Sequence, residues 1–241
     1  MIPHVTRRTV LVAVGAACAT NAAGQDQAPV QPPRVLFIGN SLTYANDLPR
    51  AVRSLYALVG LPLETAMVAK PNFSLGDHWD DRDARHAIRR RGWSTVVLQQ
   101  GPSSREDSRA MLREAVRRFA PLIAEAGATP ARFSAWPQRQ RREDFSRASD
   151  SYALAAADVN GILMPVADAW REAFDLAPSL DLYSEDGLHP SRYGTFLAAL
   201  VIFGALTGRS PASLPSDNQE LALLQQAAAN ALSRVTAAAP D

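Results

Sequence analysis

Cysteine is almost missing from this chain. Cys18 is the only one in 241 residues, so no internal disulfide can form, and no Cys/His cluster suits structural zinc. Charge of either sign is not in excess: 25 basic residues face 24 acidic ones. Residues 1–24 hold Arg7 and Arg8 but no acidic residue, so the remainder has 23 basic against 24 acidic. That balance gives no electrostatic footprint for nucleic acid. No apolar run approaches the roughly 20 residues that a membrane-crossing helix needs, and no internal repeat is visible. What is present, 47% apolar and 20% charged residues, excludes a disordered or collagen-like chain. The roughly 215 residues after the front end suffice for one domain that buries about 70% of its unfolded surface.

The front end reads as an export signal over residues 1–24. Thr6-Arg7-Arg8 precedes the apolar run Val10 to Ala19, and small residues follow through Ala22-Ala23-Gly24. A short positive segment, an apolar stretch of about 10 residues and a small-residue cleavage zone are the parts of a secretory signal. Arg7-Arg8 resembles a twin-arginine signal. Gly15-Ala16-Ala17-Cys18 resembles a lipoprotein cleavage box with glycine where leucine is usual, so periplasmic or extracellular export is expected. Residues 25–33, rich in Gln and Pro, read as a linker, and residues 34–241 as the domain.

Within that domain, apolar runs of strand length alternate with helical patterns. Val35–Ile38, Leu63–Val68, Thr95–Leu98, Ala131–Ala135 and Ile162–Val166 read as five strands. Leu48–Val59, Asp77–Arg90, Arg105–Ala126, a segment after Arg142, Ser191–Leu206 with Pro190 at its first position, and Asn218–Ala237 read as helices. This alternation predicts βαβ units, a mainly parallel sheet covered on both faces, and a three-layer α/β sandwich. In such sheets reactive groups gather outside the carboxyl ends of the strands.

Two segments at such positions carry nucleophile chemistry. Gly39-Asn40-Ser41-Leu42-Thr43 follows the first strand, with glycine expected to let the chain turn and Ser41 exposed before a helix. A helix-capping serine is the plain alternative. Thr43 stands where the second glycine of the G-x-S-x-G elbow would be, so this is not that motif. Far along the chain, Asp186-Gly187-Leu188-His189-Pro190 sets a carboxylate three residues before an imidazole. Such a carboxylate can fix the histidine tautomer and support the imidazolium formed when histidine takes a proton from serine.

Gly39-Asn40-Ser41-Leu42 resembles the first block of the SGNH/GDSL hydrolase superfamily, with Asn in the usual Asp position. Asp186-Gly187-Leu188-His189-Pro190 resembles its D-x-x-H-P block, and the likeness covers about residues 34–210. The resemblance implies a flavodoxin-like α/β/α fold of about five strands and serine esterase or acetylesterase activity without metal or cofactor. It implies Ser41 as nucleophile, His189 as general base then acid, and Asp186 as its orienter.

The middle blocks depart from the family pattern. Asn72-Phe73-Ser74-Leu75 resembles G-x-[ST]-L, with Asn72 replacing the glycine whose backbone N–H serves the oxyanion hole; Gly76 is the candidate in another register. Asparagine tolerates the left-handed backbone better than other non-glycine residues. The third block normally reads G-x-N-D, whereas here the third strand runs into Gln99-Gln100-Gly101-Pro102-Ser103. Strict register puts Ser103 at the family's asparagine. The Gln-Gly-x-Ser run also resembles the Q-G-E-S segment of sialate- and xylan-type acetylesterases, and an amide is a better fixed donor than a rotating hydroxyl. Ser41, Asn72 and Gln100 are therefore the expected oxyanion donors.

Other features are weaker. His78, Trp79 and Asp80 read first as packing or surface residues, and His78 with His86 lacks a third ligand, so no metal site is expected. Trp136-Pro137 reads equally as a sugar-stacking wall or a core element, and Arg89–Arg91 and Arg139–Arg142 as solvated faces. The expectation is an exported esterase acting on short acyl, foremost acetyl, esters of a small molecule or carbohydrate. A non-catalytic carbohydrate-binding relative, or a lysophospholipase or thioesterase on the same triad, are the alternatives.

Overall fold

The computed structural model describes residues 31–216 and 218–237; the signal expected over residues 1–24 and most of the linker lie outside them. Among these described residues five strands form: β1 Arg34–Gly39, β2 Glu64–Ala69, β3 Thr95–Leu98, β4 Thr129–Phe133 and β5 Ile162–Met164. All pair in parallel, in the order β2-β1-β3-β4-β5. The central strands are buried along nearly their whole length, because helices cover both faces. This is why their sequences are continuous apolar runs rather than alternating ones. Each fully buried Ile or Phe here, Ile38 and Phe37 among them, contributes about 1.5–3 kcal/mol.

The helices are α1 Ser41–Tyr44, α2 Leu48–Leu58, α3 Leu75–Asp81, α4 Asp83–Arg89, α5 Glu106–Glu125, α6 Phe145–Ala157, α7 Val166–Leu176, α8 Arg192–Thr207 and α9 Gln219–Ala237. Helix α5 buries Leu112, Val116, Phe119 and Ile123, a stripe at helical spacing, and packs on α3, α4, α6 and β4. Helix α8 is apolar almost all round because it is enclosed by α2, α7, α9 and β5. The result is a three-layer α/β/α sandwich of flavodoxin-like strand order, as expected.

Three local expectations are corrected. The helix expected over Asp77–Arg90 is two, broken at Arg82, whose φ is +72°. Lys70, just past β2, donates to Asp81 at 2.6 Å and to Asp83 at 2.8 Å, holding the two sides of the break. Helix α7 is additional: the strand reading ran to Val166 and absorbed its start, although Pro165 and first-turn Asp168 are start signals. Finally, α8 begins at Arg192 with Ser191 as its cap, whose hydroxyl accepts from the Tyr193 and Gly194 N–H groups. Pro190 therefore stops short of the helix and pairs with Tyr183 in an isolated bridge.

The strand order reverses at β1, with β2 on one side and β3 on the other. A crevice opens at such a switch point, outside the carboxyl ends of the strands. Ser41 follows β1 and Gln99-Gln100 follow β3.

Candidate active site

The turn after β1 is fixed by buried polar contacts. Asn40 caps α1, its Oδ1 accepting from the Leu42 N–H at 3.1 Å, and its Nδ2 donates to the Phe73 carbonyl at 3.1 Å. Gln99, fully buried, faces this turn: its Oε1 accepts from the Asn40 N–H at 3.0 Å and from the Thr43 hydroxyl at 2.7 Å. Its Nε2 donates to Asn40 Oδ1 at 3.0 Å. Gly39 is needed for this approach rather than for an unusual φ. A Cβ there would lie 2.3 Å from Thr43 Oγ1 and 2.4 Å from Gln99 Oε1. Beneath the turn, His78 Nε2 donates to the Gly39 carbonyl at 2.7 Å; a carbonyl only accepts, so Nε2 carries the proton. Burial pushes the His78 pKa down, more than the contact with Gly39 raises it, and the ring stays neutral.

The second turn is local. Asp186 Oδ1 accepts from the Leu188 and His189 N–H groups, each at 2.9 Å, and Oδ2 lies 2.5 Å from His189 Nδ1. The His189 contact first, then the two backbone donors, hold this carboxyl well below the usual carboxylate range. Ionised Asp186 requires the proton on Nδ1, which leaves the Nε2 lone pair available. Gly187 takes φ +68° at the tip, a left-handed geometry that favours glycine. Trp136 Nε1 donates to the Leu188 carbonyl at 3.0 Å and the Arg139 N–H to the Gly187 carbonyl at 2.8 Å. The two turns are joined by Asn46, five residues after Ser41, whose Nδ2 donates to the Pro190 carbonyl at 2.9 Å.

A cleft of about 450 Å³ is lined by Ser41, Asn72, Phe73, Gln100, Ser103, Pro137 and Leu188, among others. The structure thus brings Ser41, Asn72, Gln100 and Ser103 to one cavity; Asp186 and His189 are not among its lining residues, although Leu188, next to His189, is. Among the described residues, neither the Ser41 hydroxyl nor His189 Nε2 has a hydrogen-bond partner. Catalytic contacts of this kind often close only when substrate is bound.

Of the oxyanion candidates, Asn72 has φ +60°, and neither its backbone N–H nor that of Ser41 is engaged among the described residues. Gln100 Oε1 accepts from the Leu75 N–H at 3.1 Å, and Nε2 donates one proton to Ser103 Oγ at 2.9 Å, leaving its second. Ser103 donates its single proton to the Gly101 carbonyl at 3.1 Å. Gly76 lies inside α3, and a Cβ there would meet only Ser74 Oγ; it does not line the cleft.

Trp136 is a core residue, not a stacking wall. It is fully buried and stacks on Trp170 with centroids 4.1 Å apart, while Pro137 lines the cleft. His78 packs as expected, and Trp79 packs edge-on against Phe119. Gln99 and Tyr152 carry roles the sequence reading did not assign. The Tyr152 hydroxyl donates to the Gln100 carbonyl at 2.7 Å, and burial raises its pKa, keeping it a donor. Gln100 is buried as well, because both faces of β3 are covered, so alternation along the strand does not tell the two glutamines apart.

No family model and no curated protein matches the chain, but solved structures do. A candidate SGNH hydrolase from Slackia heliotrinireducens is similar at 28% identity and TM-score 0.63, over 73% of this chain and 100% of that one. A DUF4886 family protein from Bacteroides uniformis is similar at 20% identity and TM-score 0.69, over 84% and 95%. An acetyl xylan esterase from Geobacillus stearothermophilus is similar in fold, at 17% identity and TM-score 0.53, over 72% and 92%. The resemblance to the SGNH/GDSL hydrolases thus extends to the tertiary fold.

Proposed function

We propose that the chain is an exported serine esterase that removes short acyl groups, acetyl foremost, from hydroxyls of a carbohydrate or similar small molecule. The observation that carries the reading is the cleft. It holds an unengaged serine hydroxyl, two unengaged backbone N–H groups and a buried glutamine amide, and the turn that carries the Asp186–His189 pair reaches it through Leu188.

In this mechanism Ser41 Oγ attacks the ester carbonyl and its proton passes to His189 Nε2. Asp186 holds the opposite ring nitrogen and stabilises the imidazolium. The negative charge that develops on the carbonyl oxygen is met by the N–H groups of Ser41 and Asn72 and by the remaining proton of Gln100 Nε2. Collapse breaks the ester C–O bond, and the alcohol leaves with the His189 proton. Water, deprotonated by His189, then attacks the acyl-serine, and the acid is released with Ser41 reprotonated. No cofactor enters any of these steps.

The carbohydrate reading is supported by the fold shared with the acetyl xylan esterase and by a cleft whose lining mixes the polar Gln100, Ser103 and Gln138 with the apolar Phe73, Met111 and Pro137. Export is supported by Arg7-Arg8 and the apolar run after them; the route is Sec or twin-arginine, with Cys18 as the lipidation site if the lipoprotein box is used. The test treats purified protein and its Ser41→Ala variant with a fluorophosphonate probe and with p-nitrophenyl acetate, butyrate and octanoate. Labelling and turnover confined to the native serine, with acetate preferred, are expected. A folded protein with neither would overturn the reading in favour of a binding module, and octanoate preference would favour a lipid or thioester substrate.

A further inference from the structure

Beside the cleft lies a larger cavity of about 850 Å³, which shares Ser104, Arg105, Arg141 and Asp144 with it. Five arginines line this cavity, at positions 105, 109, 113, 141 and 147, with Glu106 and Asp144; Arg105 pairs with Asp107 and Arg113 with Asp158, so Arg109, Arg141 and Arg147 make up its open basic side. The chain as a whole is nearly neutral, so the local excess does not follow from overall basicity.

The guanidinium groups are arranged rather than loose. Asp144, only 2% exposed, pairs with both Arg141 and Arg147, whose side chains are 49% and 58% exposed. It also accepts from the Ser104 hydroxyl at 3.2 Å. The Arg147 contact is the largest cause holding this carboxyl below its ordinary range, in spite of its burial. One carboxylate thus fixes two forks of five N–H donors each and leaves most of those donors free. Arg109 has no carboxylate partner among the described residues. Its Nε donates to the Ser151 hydroxyl at 2.9 Å, and Ser151 in turn donates to the Ser103 carbonyl at 2.6 Å, inside the cleft wall.

We infer that this arginine-lined cavity is a subsite for an anionic group, a carboxylate or sulfate, carried by the same glycan that presents its ester to Ser41. The inference rests on the esterase reading and narrows its substrate class to esters of acidic oligosaccharides. Planar forks held ready by a buried carboxylate match the bidentate geometry of such oxyanions. A ligand filling both cavities is larger than any simple acyl ester. A membrane surface fits less well, because the site is concave and Leu154 is the only strongly exposed large apolar side chain in its lining.

The test compares acetylated oligogalacturonate with acetylated xylo-oligosaccharide of equal length on the full chain. At low salt the kcat/KM ratio is expected to favour the acidic ester by about tenfold, and to shrink strongly at high salt as the ionic contacts are screened. Combined Arg109→Gln and Arg147→Gln should bring the ratio close to one, whereas Arg109→Lys with Arg147→Lys should keep part of the preference; melting curves check that each variant folds. A sulfated xylo-oligosaccharide ester preferred over the uronate one would support the subsite and assign the anion as sulfate. Ratios near one for both the uronate and the sulfated ester in the native chain, with p-nitrophenyl acetate still turned over, overturn the inference. If no ester is hydrolysed and the fluorophosphonate does not label, it is the esterase reading that fails. Calorimetry with unacetylated oligogalacturonate then judges the cavity alone: salt-sensitive binding lost in the Gln variant supports it, and no binding overturns it. Binding to phosphatidylglycerol vesicles without binding to either oligosaccharide also overturns it.

Discussion

Around Ser41 the side-chain clamp is buried and comes from far along the chain, whereas the Asp186–His189 contact is half exposed and made within Ser184–His189, with Trp136, Arg139 and Asn46 bonding only backbone carbonyls of that turn. Gln99 reaches Asn40 across 59 positions and Thr43 across 56. Asp186 reaches His189 across three, and its side chain is 50% exposed. A buried, non-local network is rigid and costly to disturb, because each orphaned group inside loses about 1–3 kcal/mol. An exposed local turn costs little to disturb. Changes at the two sites should therefore separate stability from chemistry.

The largest effect is expected from Ser41→Ala, which should lower kcat for p-nitrophenyl acetate by about 10⁴–10⁶-fold with an unchanged melting temperature. Next is Asp186→Asn. The amide oxygen can still accept from the Leu188 and His189 N–H groups, so the turn should persist. The wrong histidine tautomer should lower kcat by up to about 10⁴-fold. A large loss of melting temperature in this variant would break the contrast between the two turns.

Gln100→Ala should cost about 10²–10³-fold in kcat if its amide serves the oxyanion, and a loss below threefold would assign the hole to backbone groups alone. Gln99→Leu tests the other side of the comparison. It orphans the Asn40 N–H and the Thr43 hydroxyl, so it should cost about 2–6 kcal/mol, or roughly 4–24 °C in melting temperature. An unchanged melting temperature would show that the network is not what fixes the nucleophile turn.

The smallest effect concerns pH. Burial holds the His78 pKa below its ordinary value of 6.5, so the unfolded chain binds this proton more readily than the folded one. Stability should therefore be lost as pH falls below about 6.5, until the folded-state value is reached, and be fully present above it. Melting curves of the native protein and His78→Gln between pH 7.5 and 5 should differ in slope in that window. Parallel curves would sink the assignment.

The Asp186–His189 turn was legible in the sequence because its geometry is made within six consecutive residues: a carboxylate, a tip glycine, an imidazole and a proline. The left-handed conformation at Asn72 was legible for the same reason, as a property of one residue type. The strands could be read because a doubly covered parallel sheet demands continuous apolar runs. Gln99 was not legible as the clamp on the nucleophile turn, since its partners sit on another strand's end. Trp136 was equally ambiguous until Trp170 closed over it. The break lies at Arg82, bridged by Lys70 from outside the segment, and no periodicity within 77–90 records it. Arg139–Arg142 read as a solvated face, yet Arg141 shares the buried Asp144 with Arg147 at the edge of the cleft.

The sequence by itself determined what is local: the five strands, most of the helices, the serine after the first strand and the Asp–His turn. Tertiary structure alone decided which glutamine clamps the nucleophile turn, which donors stay unengaged beside Ser41 and where the arginines gather. Backbone propensity and short-range hydrogen bonds act over a few residues and leave their mark on composition and spacing. Burial, pairing and charge balance arise only when distant segments meet.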